Sequence, residues 1–249
     1  MRARRVLLFA GFTLFVVCAT HRVGAAGPWE VEGGAYGGSA AGHMTCGPDM
    51  RIAYGGVGGE VRYSQARVPG ESDGVAFDVG GLPESERAWA VGCNTSACNG
   101  DGFSGLAPSG RARIGYDWPG FGFRVGALLW TQPQTGLGQP LEVVPVPDVA
   151  LRFGALDDIR VVLGFGAYDL PTYLRPGLYS GVLVPVGRGW EVGGHAGVHY
   201  ALADSLGFRG AVTVRAPLAP HVWLRTDFAL MGNDTGPGSD AVLGLGGDF

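Results

Sequence analysis

From about residue 108 onward, apolar residues recur at every second position for roughly ten residues at a time, and each run closes on a turn signal. The clearest run is 221–230. Val222, Leu224, Thr226, Phe228 and Leu230 share one face, while His221, Trp223, Arg225, Asp227 and Ala229 share the other. The preceding run repeats the design, with Phe208, Val212, Val214 and Ala216 set against Arg209, Ala211, Thr213 and Arg215. A period of two places successive side chains on opposite faces of an extended strand. The pattern predicts strands near 109–118, 121–131, 142–153, 159–168, 177–186, 190–201, 206–216, 221–231 and 240–249.

Their connections alternate in length. Trp118–Phe121, Gly154–Asp158, Val186–Trp190 and Ala216–Pro220 are short, whereas 131–140, 168–177 and 231–240 are longer. Before residue 108 the alternation is noisier, with candidate strands at 29–39, 50–65 and 73–82 and a long loop to about residue 107. The count is twelve strands, or ten if Gly-rich 33–40 does not pair. Within 142–153 the alternation changes phase between Val146 and Val149, so a bulge is expected around Pro147 and Asp148.

Composition sharpens this reading. The 46 Gly and 16 Pro argue against long helices, and the glycines lack the three-residue period of collagen. All 18 basic residues are Arg, which excludes a P-loop lysine and a Schiff-base lysine. At the N-terminus, Arg2, Arg4 and Arg5 precede an apolar run from Val6 to Ala19, followed by small residues ending at Ala25 and Ala26. That is the layout of a secretory signal peptide over 1–26, with a mature domain over 27–249. A lipoprotein reading would use Cys18, but Val17 is bulky for it. Past the signal, 14 Arg face 22 acids, a net charge of −8 that does not invite nucleic acid. No later stretch of 18 apolar residues exists, so any membrane crossing must use strands.

The chain closes on Ala241, Leu243, Leu245, Gly247 and Phe249 along one strand face. A terminal aromatic preceded by apolar residues at every second position resembles the closing-strand signal of bacterial outer-membrane β-barrel proteins. Ala241, Leu243, Leu245 and Phe249 take the signal positions, and Gly247 departs from the apolar residue usual there. The chain is similar in architecture to the porin-like and small OmpA-like barrel families over its whole mature length. That resemblance implies an all-β antiparallel transmembrane barrel in the bacterial outer membrane, with membrane lipid and the barrel-assembly machinery as partners. Trp190 and Tyr200 bracket Val192, Ala196 and Val198 on one face. At ~3.3 Å per residue and ~45° tilt they stand roughly 23 Å apart along a barrel axis, near the ~25 Å of an apolar band between aromatic girdles. Trp118 and Phe121 would extend one girdle.

If the apolar faces meet lipid, the other faces line a lumen. They carry Arg111, Arg113, Arg124, Arg152, Arg160, Arg209, Arg215 and Arg225 against Asp117, Glu191, Asp227 and Asp248, with His195 and His199 among them. The arginines either pair with acids and fix the barrel's shape, or their surplus forms a positive constriction favouring anions. Interior glycines leave space for water or room for neighbouring Arg to cross. The expected function is a passive pore for small polar or anionic solutes, without catalysis or a cofactor. The alternatives are a plugged structural or adhesive barrel with partner-binding external loops, or a secreted β-sandwich whose apolar faces pack together.

His195 and His199, with Asp204 and Ser205 nearby, could support hydrolysis or hold a metal, but no HExxH, GxSxG or metal-spaced Cys cluster is present. Among the mature cysteines, Cys93 and Cys98 are expected to form a disulfide, with Cys46 as a rival partner. Asp234 and Asp240 lack EF-hand spacing for calcium.

Overall fold

Alternation in the sequence becomes alternation in space. In the computed structural model, described for residues 27–43, 49–90, 104–132, 142–167, 176–200, 206–233 and 236–249, twelve strands follow one another. They are β1 (Trp29–His43), β2 (Asp49–Ser64), β3 (Gly74–Ala90), β4 (Ser104–Trp118), β5 (Phe121–Gln132) and β6 (Glu142–Phe153), then β7 (Arg160–Gly166), β8 (Gly177–Gly187), β9 (Trp190–Tyr200), β10 (Leu206–Ala219), β11 (Val222–Asn233) and β12 (Gly236–Asp248). A single 3-10 turn, Gln65–Arg67, follows β2. Each strand pairs with its chain neighbours, and β12 pairs antiparallel with β1 from Glu30↔Asp248 to Ser39↔Ser239, which closes the sheet into a barrel without edges.

The outer wall is apolar. Ile114, Leu129, Leu178, Phe208, Val212, Phe228, Leu230 and Leu243 are each more than half exposed, whereas Arg225 and Asp227 on the opposite face are buried. This inverts the pattern of a soluble protein and overturns the sandwich alternative, whose apolar faces would be covered. At one end of the outer wall lie aromatic clusters: Trp29, Tyr63 and Phe77, with the last two stacked at 5.2 Å, and Tyr116, Trp118, Phe121 and Phe153.

The connections at that end cover residues 65–73, 119–120, 154–159, 188–189 and 220–221. Arg188 and Gly189 both have positive φ, the geometry of a type I′ hairpin that matches strand twist. The segments 44–48, 91–103, 133–141, 167–176, 201–205 and 234–235 connect strands at the other end. Cys46, Cys93 and Cys98, hence the expected disulfide, lie outside the described residues, as do residues 1–26, Asp204, Ser205 and Asp234.

The structure bears out the count of twelve and corrects several other expectations. Gly-rich 33–40 pairs with both neighbours, because backbone ladders need no side chains, and twelve is the strand number. β3 runs to Ala90 and β4 begins at Ser104, so strand takes up both ends of the predicted loop after residue 82. β12 begins at Gly236 rather than residue 240, leaving a short link after Asn233. β6 has no bulge: it pairs with β5 in unbroken register from Phe121↔Phe153 to Gln132↔Glu142. The phase change arises because Val146 turns inward to an apolar patch of the lumen while Asp148 turns inward below it. Register shifts occur instead at Pro185/Gly187 and Pro217/Ala219, where proline lacks the N–H that a regular ladder uses.

Candidate functional site

Among the described residues, polar chemistry concentrates on the inward faces of the strands. Each expected lumen residue, Arg111, Arg113, Arg124, Arg152, Arg160, Glu191, His195, His199, Arg209, Arg215, Arg225 and Asp227, turns to the barrel interior and is buried or half-buried. Asp117 joins them, fully buried, whereas Asp248 sits at the short-turn rim with its Oδ1 2.6 Å from His221 Nδ1.

Most of these side chains are tied across the lumen to strands beyond their immediate neighbours. Arg111 of β4 reaches Glu60 of β2 at 2.5 Å and donates to the Ala167 carbonyl at 2.5 Å. Arg113 pairs with Asp78 at 2.8 Å and with Asp148 of β6 at 3.3 Å. Asp117 accepts from Arg124 at 2.8 Å, Arg152 at 3.1 Å and the Ser64 hydroxyl at 2.6 Å. Arg160 of β7 pairs with Glu191 of β9, and Arg209 of β10 pairs at 2.8 Å with Asp240 of β12 while also contacting His195. Across the closing seam, Arg225 of β11 and Arg215 of β10 reach Glu32 of β1 at 3.0 and 3.3 Å. Glu30 gathers Arg67, Arg215 and Arg62 at 2.6, 3.0 and 3.1 Å.

This network corrects the charge count. Among the described residues, interior Arg62 and Arg67 raise the arginines to ten, and Glu30, Glu32, Glu60, Asp78, Asp148 and Asp240 join Asp117, Glu191 and Asp227 to make nine carboxylates. The surplus of eight over four disappears, because the noisy first third of the sequence supplies most of the missing acids. Glu30 with Glu32, and Glu60 with Arg62, stand two residues apart. That spacing was the available signal for one strand face.

Interior glycine has a defined use. A Cβ on Gly122 would collide with Asp117 and Arg152, so the bare backbone lets Arg152 cross β5 to reach Asp117. A Cβ on Gly246 would strike the Trp223 indole, which lies under the Arg215 guanidinium at 4.5 Å.

Vertically the lumen has two regimes. Toward the long-loop end, Tyr36, Leu128, Ala167, Met231 and Val242 form a buried apolar cluster, with Trp130 and Val146 packed on it. Arg111–Glu60 and Arg209–Asp240 stand level with this cluster, Arg111 opposite Leu128 and Arg209 opposite Met231. Toward the short-turn end the other ion pairs gather about a cavity of about 180 Å³, which adjoins a vestibule of about 870 Å³ bordered by Trp190, Trp223, His221 and Asp248. His195 and His199 are both buried, and a Cβ on Gly207 would meet the His199 ring.

At the chain end, Ala241 and Leu243 are exposed on the outer wall, Leu245 is half-buried, and Phe249 is exposed while its backbone exchanges hydrogen bonds with Trp29 at 3.0 and 3.2 Å. Gly247 has a local reason to be glycine: a Cβ there would lie 3.0 Å from the His221 carbonyl oxygen.

No family model and no curated protein matches the chain. Solved structures do. The translocator domain of autotransporter NalP from Neisseria meningitidis is similar with a TM-score of 0.54 and 11% identity, over 100% of this chain and 97% of that one. The CymD monoaromatic hydrocarbon channel is similar with a TM-score of 0.46 and 8% identity, over 90% and 89% of the two chains. The anion-selective porin from Comamonas acidovorans has a TM-score of 0.38 and 10% identity, over 89% and 100%. The unbroken antiparallel ring, the apolar outer wall and the likeness to the translocator domain agree on one architecture: this chain has the fold of a bacterial outer-membrane β-barrel, closed with twelve strands.

Proposed function

We propose that the chain, exported by residues 1–26, is an outer-membrane barrel that serves as a narrow passive channel for small polar solutes, shut at mid-height in the state described. The observation that carries this is the charged half of the lumen. Replacing buried ion pairs with apolar residues is often neutral or stabilising, so charge is a poor filler for a barrel that only needs to be solid. The same lumen holds an apolar packing solution a few residues away, at Leu128 and Met231. Glu30, Arg67, Arg160, Glu191 and Arg215, which border both the inner cavity and the vestibule of about 870 Å³, suit a hydrated path instead. By the usual rule for such barrels, the short-turn end faces the periplasm. The outward Ala241, Leu243, Leu245 and Phe249 would present the last strand to the assembly machinery.

The apolar cluster favours a second reading, a plugged barrel whose external loops bind a partner. Planar-bilayer recordings separate the two. The channel reading expects small conductance steps from the purified protein and larger ones from a Leu128→Ala/Met231→Ala double variant. Silence from both proteins selects the plugged barrel.

A further inference from the structure

The balance of charge over the whole lumen conceals an imbalance at its lower cavity. Eight of the side chains lining that cavity are arginines, and only three, Glu30, Asp78 and Glu191, are carboxylates. The other acids of the network, Asp117 and Glu32 among them, hold the guanidinium groups from behind and do not line the space. A second feature is independent of this count. The Nε–H groups of Arg124, Arg152 and Arg160 are buried and make no hydrogen bond, Arg124 Nε lying 3.7 Å from Asp78 Oδ2, and all three residues border the cavity. An orphan buried donor is costly, and a charged acceptor bound beside it removes that cost.

The cavity also has an entrance. Glu30, Arg67, Leu156, Arg160, Glu191 and Arg215 border both it and the vestibule, so the two volumes adjoin at the short-turn end. Its volume of about 180 Å³ accommodates a tetrahedral oxyanion and several bridging waters. Guanidinium is suited to such a ligand, because its planar fork offers paired N–H donors to adjacent oxygens. Lysine, which would bind as a point charge, is absent from the chain.

We propose that this cavity is a binding site for a small tetrahedral oxyanion, phosphate or sulfate, which enters from the periplasmic mouth and seats among Arg124, Arg152 and Arg160. The inference builds on the lumen as a solute path and supplies the class of solute. The barrel wall separates the cavity from lipid, so the ligand is a free anion and not a headgroup.

Isothermal titration of the full-length barrel in detergent at low ionic strength, with inorganic phosphate as probe, tests this. The expected result is a saturable isotherm with one phosphate per barrel, competed by sulfate and weakened about tenfold or more in Arg124→Gln and in Arg160→Gln. Heat-modifiable gel migration reports whether each variant is folded, and sulfate competition in the unaltered protein gives a reading that needs no variant. Dilution heat alone, or binding unchanged in both folded variants, overturns the site. Phosphate binding in a barrel that never conducts would sink the channel and leave this site standing. Conductance without phosphate binding would do the reverse.

Discussion

The two halves of the lumen are enclosed by one wall, but only the upper one has an apolar cluster among its charges. β6 passes through both: Val144 and Val146 point inward near the long-loop end, and Asp148 and Arg152 point inward near the short-turn end. The outward residues of the same strand, Val143, Val149 and Phe153, are apolar throughout. Hydrocarbon imposes a uniform demand along the whole outer face. The inner face answers only to what stands opposite, so its character can change within two residues.

The lower half is held by directional bonds between distant strands. Glu32 is a hub at the seam, where Arg215, Arg225 and Arg62 converge at 3.3, 3.0 and 3.9 Å. Glu32→Gln leaves buried guanidinium charge uncompensated and is expected to cost about 3–5 kcal/mol. Urea titration in detergent micelles, followed by tryptophan fluorescence, measures it, and a loss below about 1 kcal/mol would mean that these pairs are solvated like surface ones.

The upper half adds apolar packing to two ion pairs, Arg111–Glu60 and Arg209–Asp240. Leu128 is wholly buried in the apolar cluster, and Leu128→Ala is expected to cost about 3 kcal/mol through lost contacts and a residual cavity. The same titration applies, and the comparison sharpens with added salt. Screening acts on exposed charges and hardly on deeply buried pairs. Both losses are therefore expected to persist at high salt, because Glu32 is buried and does not line the cavity; a Glu32→Gln loss that fades with salt would show that ions reach it.

Gly122 tests the boundary on the charged side. Gly122→Ala drives a methyl into the path from Arg152 to Asp117, with an expected loss of about 1–2 kcal/mol. Alanine at this position with wild-type stability would show that Arg152 has another route.

How much of this was legible in the sequence follows from the same asymmetry. Lipid enforces alternation, so β10 and β11 could be read residue by residue, and Arg209, Arg215, Arg225 and Asp227 were placed on the inner face from pattern alone. In β1 and β2 the outer positions include Gly33, Gly37, Gly55 and Gly59, which remove the apolar half of the alternation and hid Glu30, Glu32 and Glu60. The expected arginine surplus came from that blind spot. Ion pairs between strands two apart were also out of reach, because they depend on barrel closure and on gaps such as Gly122 rather than on local spacing.

The smallest effect concerns Pro147. A sequence that changes phase beside a proline has two physical explanations: a backbone bulge, or a switch in what the inner face needs. The β5 ladder runs through Ala127↔Pro147 without a shift, whereas β6 pairs with β7 only from Val149 to Phe153. Proline thus sits just beyond that second ladder, where a missing donor disturbs little. Pro147→Ala is expected to lower stability by only about 0.4–1 kcal/mol, mainly by loosening the unfolded chain. Hydrogen exchange on Ala127 and Val149 should be unaltered. Were a bulge fixed by Pro147 the cause, removing it would let the strand shift register, and Val146 or Asp148 would turn to the outer face. Accelerated exchange at those amides would expose that slip, and the boundary between the two lumen regimes would then lie in the backbone rather than in the side chains.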